Sequence, residues 1–274
     1  MIASRMTSVA TALALRESGG SPSTRMAPTT GRGSIQYAIV RFTLLAEEEA
    51  AGRVLSVYRD VRKRMPFVPA LFKALAADPA ALEAAWLQAR ALYDDPRAKN
   101  AASRLAGLAR PELPYRPSPA VRAAAAPFAA ELPVLLLVVT SLGLSLDGAL
   151  APVASPPARL PEPEPLPATP VPELRGEHPL FAEVRAVYGT EHVPSMFRAL
   201  AAQSLLEEPW AAIGGFLGGP EGVGLVARVE SAADLEARAF PEYAFLTSET
   251  ARPVLAQFRV ALPRNVVFAT AAAA

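Results

Sequence analysis

Val68-Pro69-Ala70-Leu71-Phe72-Lys73-Ala74-Leu75-Ala76-Ala77 returns 125 positions later as Val193-Pro194-Ser195-Met196-Phe197-Arg198-Ala199-Leu200-Ala201-Ala202. The replacements are conservative apart from Ala70 against Ser195. One residue is then lost, and the register resumes at an offset of 124. Leu82-Glu83 matches Leu206-Glu207, Trp86 matches Trp210, Pro96 matches Pro220 and Arg104 matches Arg228. The chain has two tryptophans, and both fall on matching positions. A common offset held through so many residue types reads as an internal duplication.

The repeated stretch has a mechanical meaning. Proline fixes its own φ near the helical value and lacks an N–H that a first helical turn leaves unpaired anyway. Pro69 and Pro194 are therefore expected to open helices. Val68, Leu71, Phe72 and Leu75 then share one apolar face, and Val193, Met196, Phe197 and Leu200 share its counterpart. A duplicated unit with one apolar face buries it most readily against its own copy, as a homodimer does. The fold class that follows is all-α, an internally duplicated helical pseudo-dimer joined by a Pro-rich linker.

Bulk properties narrow the function. The apolar share of 51% over 274 residues supports a substantial core. A formal net charge of +1 gives no electrostatic case for nucleic acid or an anionic membrane surface. The absence of cysteine excludes disulfides, thiolate metal sites and thiol redox chemistry, including an alkylhydroperoxidase-like mechanism. Two histidines, His178 and His192, are too few for a His-rich metal site. A small-molecule ligand is expected, in a cytoplasmic protein open to homo-oligomerisation.

Four segments follow in order. Residues 1–34 are rich in Ser, Thr, Ala and Arg and are expected to be a disordered extension. Residues 35–150 form the first helical repeat. There Thr43 can cap a helix with Glu47, Glu48 and Glu49 in its first turn and Val54, Val57, Tyr58 and Val61 along its stripe. Asp78-Pro79, Asp95-Pro96 and Ser118-Pro119 each read as a cap followed by proline at the first helical position. Residues 133–146, between Glu131 and Asp147, are the most apolar piece, too short for a membrane span and suited to a buried helix. Residues 151–173 form the linker, where nine prolines between Pro152 and Pro172 favour extended polyproline II. Residues 174–274 restate the plan. Leu180, Val184, Val187 and Tyr188 open it, the glycine-rich run from Gly214 to Gly224 reads as turns, and the alanines after Asn265 are expected to fray.

With the paired VPxxFxALA motif, and the Leu-Glu and Trp that follow it, the chain resembles the DehI family, the group I 2-haloacid dehalogenases. The resemblance covers roughly residues 40–262. It implies an all-α pseudo-dimer with the active site between the halves. It also implies hydrolysis of 2-haloalkanoic acids of either hand by a water that an aspartate activates, with no covalent ester and no metal or organic cofactor. The place of that aspartate is held here by Met196, with Leu71 as its first-copy mate, so no catalytic residue is assigned.

The implied chemistry needs a base, donors for a carboxylate and apolar walls for a halogen. Phe72, Trp86, Phe197 and Trp210 are expected to wall the pocket, with Ser195 supplying a hydroxyl and Met196 part of the same surface. The stand-in bases within reach in the sequence are Asp60, Asp94, Glu183 and His192. Glu83 and Glu207 read as solvent-facing, Asp78 as a cap and His192 as a solvated turn residue. Two functions stay open: a DehI-like hydrolase, and a non-catalytic pseudo-dimer that binds a small apolar or acidic molecule.

Overall fold

The computed structural model describes residues 42–150, 171–244 and 248–274. The expected N-terminal extension and nearly all of the linker lie outside the described residues. Ten α-helices account for most of what is described, and no strand occurs among the described residues. They are α1 (Gly52–Arg62), α2 (Ala70–Leu75), α3 (Pro79–Asp94), α4 (Pro96–Leu108), α5 (Pro119–Leu146), α6 (Phe181–Tyr188), α7 (Ser195–Ala202), α8 (Glu207–Gly218), α9 (Pro220–Ala237) and α10 (Arg252–Ala272). The protein is all-α.

The starts of these helices follow local chemistry. The Asp78 carboxylate accepts from the N–H groups of Ala80 and Ala81, Asp95 accepts from Arg97 N–H, and the Ser118 hydroxyl accepts from Val121 N–H. Each cap precedes a proline, which leaves one fewer donor to satisfy. Pro69 and Pro194 sit one step earlier than expected. They are the extended residues just before α2 and α7, with ψ of 145° and 146°, and their carbonyls accept the first helical bonds.

Similar contacts recur before and after α5. Leu45 N–H donates to the Lys73 carbonyl at 3.2 Å, and Leu174 N–H to the Arg198 carbonyl at 3.0 Å. Phe72 meets Trp86 edge-on at 5.3 Å, and Phe197 meets Trp210 edge-on at 5.7 Å. Trp86 Nε1 donates to Asp60 at 2.8 Å, and Trp210 Nε1 to Glu183 at 2.9 Å. A buried indole N–H needs an acceptor, and both tryptophans take a carboxylate.

The core is built on α5 and α10, the most extensively packed pair, with α4, α9 and α3 also against α5. Gln88 on α3 reaches α5 with Nε2 donating to the hydroxyls of Ser141 and Ser145. In place of a short apolar segment, α5 runs for 28 residues straight through Pro127 and Pro133. It is the one helix among the described residues that is long and apolar enough to cross a membrane. However, 72% of its most apolar window is buried by other helices, so its apolar surface is already used.

Three further expectations are corrected. The acidic turn Glu47–Glu49 is a separate 3-10 turn, and α1 starts only at Gly52, which holds φ +51°. This frees Glu47 to bind Arg62 at 3.1 Å and the Val68 N–H at 3.2 Å. Most of the glycine-rich run is helical. Gly214 lies so close to Trp210 that a Cβ would come within 2.9 Å of the indole, and a Cβ on Gly222 would sit 2.0 Å from the Phe216 carbonyl oxygen. The terminal alanines do not fray, because α10 continues to Ala272 with Val266, Val267 and Phe268 fully buried.

Candidate ligand cleft

The sequence Val193-Pro194-Ser195-Met196 starts α7 just after an extended turn, and Phe67-Val68-Pro69-Ala70 does the same for α2. Both helix starts face a cleft of about 50 Å³. Phe128, Leu132 and Leu135 of α5 form one wall; Phe258, Ala261 and Leu262 of α10 form another. Phe67 packs on Phe128 with ring centroids 4.7 Å apart, closing the floor. The space suits a ligand of a few heavy atoms, since a single water needs about 10–15 Å³ by the same kind of measure.

Five polar side chains interrupt this apolar surface: Thr190, His192, Ser195, Gln257 and Asn265. No Asp or Glu lines the cleft among the described residues. Gln257 and Asn265 stand eight residues apart on α10, hence on one face, and each has a buried amide oxygen without a hydrogen-bond partner among the described residues. Thr190 Oγ1 accepts from His192 N–H at 3.2 Å and lies 2.6 Å from Gln257 Nε2.

His192 is half-buried rather than solvated. Its ring stacks on Phe42 at 5.6 Å, and Nε2 accepts the Phe42 N–H at 3.0 Å. Burial, helped by the nearby Arg198 charge and opposed by Glu191, holds the imidazole below its ordinary pKa. A neutral imidazole has one nitrogen lone pair, and here it is occupied. His192 therefore offers the cleft an N–H at Nδ1, not a base.

Ser195 and Met196 line the cleft. Phe72, Trp86, Phe197 and Trp210 stand apart from its lining, because their rings interlock within the core beside their own helices. The acids are engaged elsewhere. Asp60 holds Trp86 and Arg64, Asp94 pairs with Arg64, Glu183 holds Trp210, Glu83 faces Arg53 and Glu207 faces His178. Sequence reading missed Thr190, Gln257 and Asn265. Gln257 and Asn265 carry a signal in retrospect: two amides eight apart on the otherwise apolar face of a helix.

A wider groove of about 510 Å³ adjoins the cleft and shares Val193 and Ser195 with it. Lys73 and Arg198, which hold matching positions in the similar stretches 68–77 and 193–202, stand on its wall. Lys73 pairs with Glu173 at 3.1 Å, whereas the Arg198 guanidinium donates to the Leu174 carbonyl at 2.6 Å.

Solved structures share this arrangement of helices. A D-2-haloacid dehalogenase complex with L-LA aligns with a TM-score of 0.67 at 18% identity, covering 87% of this chain and 96% of that one. A mutant of D-2-haloacid dehalogenase with D-2-CPA aligns at 0.66 and 17%, with the same coverage. A D-2-halacid dehalogenase mutant aligns at 0.64 and 20%, covering 86% and 94%. The chain has the all-α fold of these D-2-haloacid dehalogenase structures. No family model matches the chain, and no curated protein sequence matches it. The shared fold thus stands on a sequence that matches these structures at fewer than one residue in four.

Proposed function

We propose that this chain is a haloacid-dehalogenase-like protein whose cleft takes a short 2-substituted carboxylic acid and holds it without rapid hydrolysis. The observation that carries this reading is the wall itself: apolar surfaces, five polar side chains and no carboxylate among the described residues. The two halves, 35–150 and 174–274, are duplicated units on this reading, with the cleft where the two copies of the motif meet.

The binding chemistry is available. The free N–H groups in the first turn of α7 and the Ser195 hydroxyl are donors for a carboxylate, at the helix end that favours negative charge. Arg198, with no carboxylate partner of its own among the described residues, lends positive potential to the adjoining groove and steers an anion toward Ser195. Leu132, Leu135 and Met196 offer polarisable apolar contact to a halogen or methyl group.

Hydrolysis by direct water attack needs a proton acceptor beside the water, and at neutral pH a serine hydroxyl alone does not serve. With His192 already accepting from Phe42, the described lining supplies none. The second reading is a slow hydrolase of the same acids, favoured by the fold it shares with D-2-haloacid dehalogenase structures.

Calorimetric binding and halide release with both hands of 2-chloropropionate separate the cases. Binding with halide release near background is expected. Rapid release would overturn the non-hydrolytic reading, and absence of binding to either hand would sink both.

A further inference from the structure

The five polar side chains of the cleft all come from one part of the chain, between residues 190 and 265. The offset of 125 sets His192 against Phe67 and Ser195 against Ala70. A second match, at an offset of 130, sets Phe258, Leu262, Pro263 and Thr270 of α10 against Phe128, Leu132, Pro133 and Thr140 of α5. On that register Asn265 stands against Leu135 and Gln257 against Pro127. In three of these pairs, His192 with Phe67, Ser195 with Ala70 and Asn265 with Leu135, both members line the cleft. Each time the later residue is polar and the earlier one apolar.

The contacts that close the cleft differ in the same sense. The stretch before α2 joins α5 through rings, Phe67 on Phe128 at 4.7 Å. The stretch before α7 joins α10 through a hydrogen bond, Gln257 Nε2 to Thr190 Oγ1 at 2.6 Å. The first-half lining, Phe67, Pro69, Ala70, Phe128, Leu132 and Leu135, holds no side-chain donor or acceptor. A ligand hydroxyl turned toward it loses water and gains no side-chain partner, whereas a methyl group there is well placed.

We infer that the cleft takes its acid in one orientation and selects for an apolar tail. The carboxylate lies toward the Ser195 hydroxyl and the His192 Nδ1–H, and the tail lies toward Ala70 and Leu135. Ala70 is the specificity-determining position, because it is the smallest side chain of the apolar lining and the mate of the serine at the head. This inference rests on the proposed reading of the cleft as an acid site and adds the selection made at its far end.

The test is calorimetric titration of the full chain with butyrate and with 3-hydroxypropionate. These acids are of equal size and differ only in a methyl group against a hydroxyl at the tail. Butyrate is expected to bind about 5–100-fold more tightly, the cost of burying a hydroxyl without a partner. Ala70→Ser gives the apolar end the hydroxyl that Ser195 carries, and is expected to bring the two affinities within about 3-fold of each other. Ala70→Val fills the same end and should weaken butyrate more than propionate. Ser195→Ala should weaken butyrate and 3-hydroxypropionate alike, by about 2–10-fold, because their head groups are the same.

Equal affinity of the unmodified chain for the two acids, or an unchanged ratio in Ala70→Ser, overturns the inference and leaves the acid site standing. A ratio that shifts in Ser195→Ala puts the tail at the polar end and overturns it too. Binding of 2-chloropropionate but of neither probe acid has the same meaning. Binding of none of the three sinks the acid site itself, and the inference with it.

Discussion

Met196 lines the cleft and is 2% exposed. Replacing it with aspartate places a carboxylate against apolar walls, where the charged form is desolvated and has no cationic partner lining the cleft among the described residues. Met196→Asp is expected to cost at least about 2 kcal/mol in denaturant unfolding and to raise halide release from 2-chloropropionate above that of the unmodified chain. An unchanged rate in a folded variant would show that the cleft lacks more than a base. Two neighbouring glycines give a cleaner contrast. Gly214→Ala drives a Cβ into the Trp210 ring and should destabilise by about 1–3 kcal/mol. Gly215→Ala meets nothing within 4 Å on an exposed helical turn and should stabilise by about 0.5–1 kcal/mol. Thermal melts of the pair should move in opposite directions. The sequence alone read both as turn glycines, because a glycine chosen for close approach looks no different from one chosen for a turn.

Among elements, α10 departed furthest from expectation. Its alanines carry no amphipathic signal strong enough to distinguish a frayed tail from a tightly packed helix. What settles the matter is the partner: small residues let α10 approach α5 closely, and no local pattern reveals which surface a segment will meet. Phe268 is fully buried, 4.7 Å from Phe197 and 6.3 Å from Trp210 by ring centroids. Phe268→Ala should therefore cost about 3–5 kcal/mol, where a frayed tail would lose nothing. Amide exchange at Val266 and Val267 should be as slow as in the centre of α5. By contrast, the caps at Asp78, Asp95 and Ser118 and the proline-led helices were legible, because a cap is a local device written in consecutive residues. The cleft was half legible for the same reason. Ser195 and Met196 lie within a recognisable motif, while Gln257 and Asn265 arrive from a helix some 60 residues downstream.

At the scale of the whole molecule, two carboxyl groups pull the pH response in opposite directions. Asp95 caps α4 and accepts from the Tyr243 hydroxyl at 3.0 Å, tying α4 to the loop after α9. Its hydrogen bonds with Arg97 hold it down to about 2 from an ordinary 3.8. Because the folded value is depressed, its contribution is complete above pH 4 and disappears as pH falls toward 2. Asp95→Ala should cost about 0.5–2 kcal/mol at neutral pH and flatten that acid limb. Glu131 acts in the opposite sense. Its folded value near 7 exceeds the ordinary 4.5, so the folded state binds the extra proton and loses stability as pH rises through that window. The melting temperature of Glu131→Gln should pull ahead of the unmodified chain's from pH 5 to pH 8, on top of the rise that His192 contributes in both because its folded value lies below its ordinary one.

The pairing of α5 with α10 also has a consequence during synthesis. The apolar surface of α5 is complete once Leu146 has been made, yet the helix that packs most extensively against it ends at Ala272. At roughly 5–20 residues per second, a ribosome takes on the order of ten seconds to deliver that cover. For that interval the nascent chain carries α5 without its main partner, and α5 meets the length and hydropathy of a membrane span. Stalled chains long enough for α5 to have left the ribosome but too short to include α10 should bind signal-recognition or holdase factors, and released full-length chains should not. A delay between α5 and its main partner is thus built into the order of the chain.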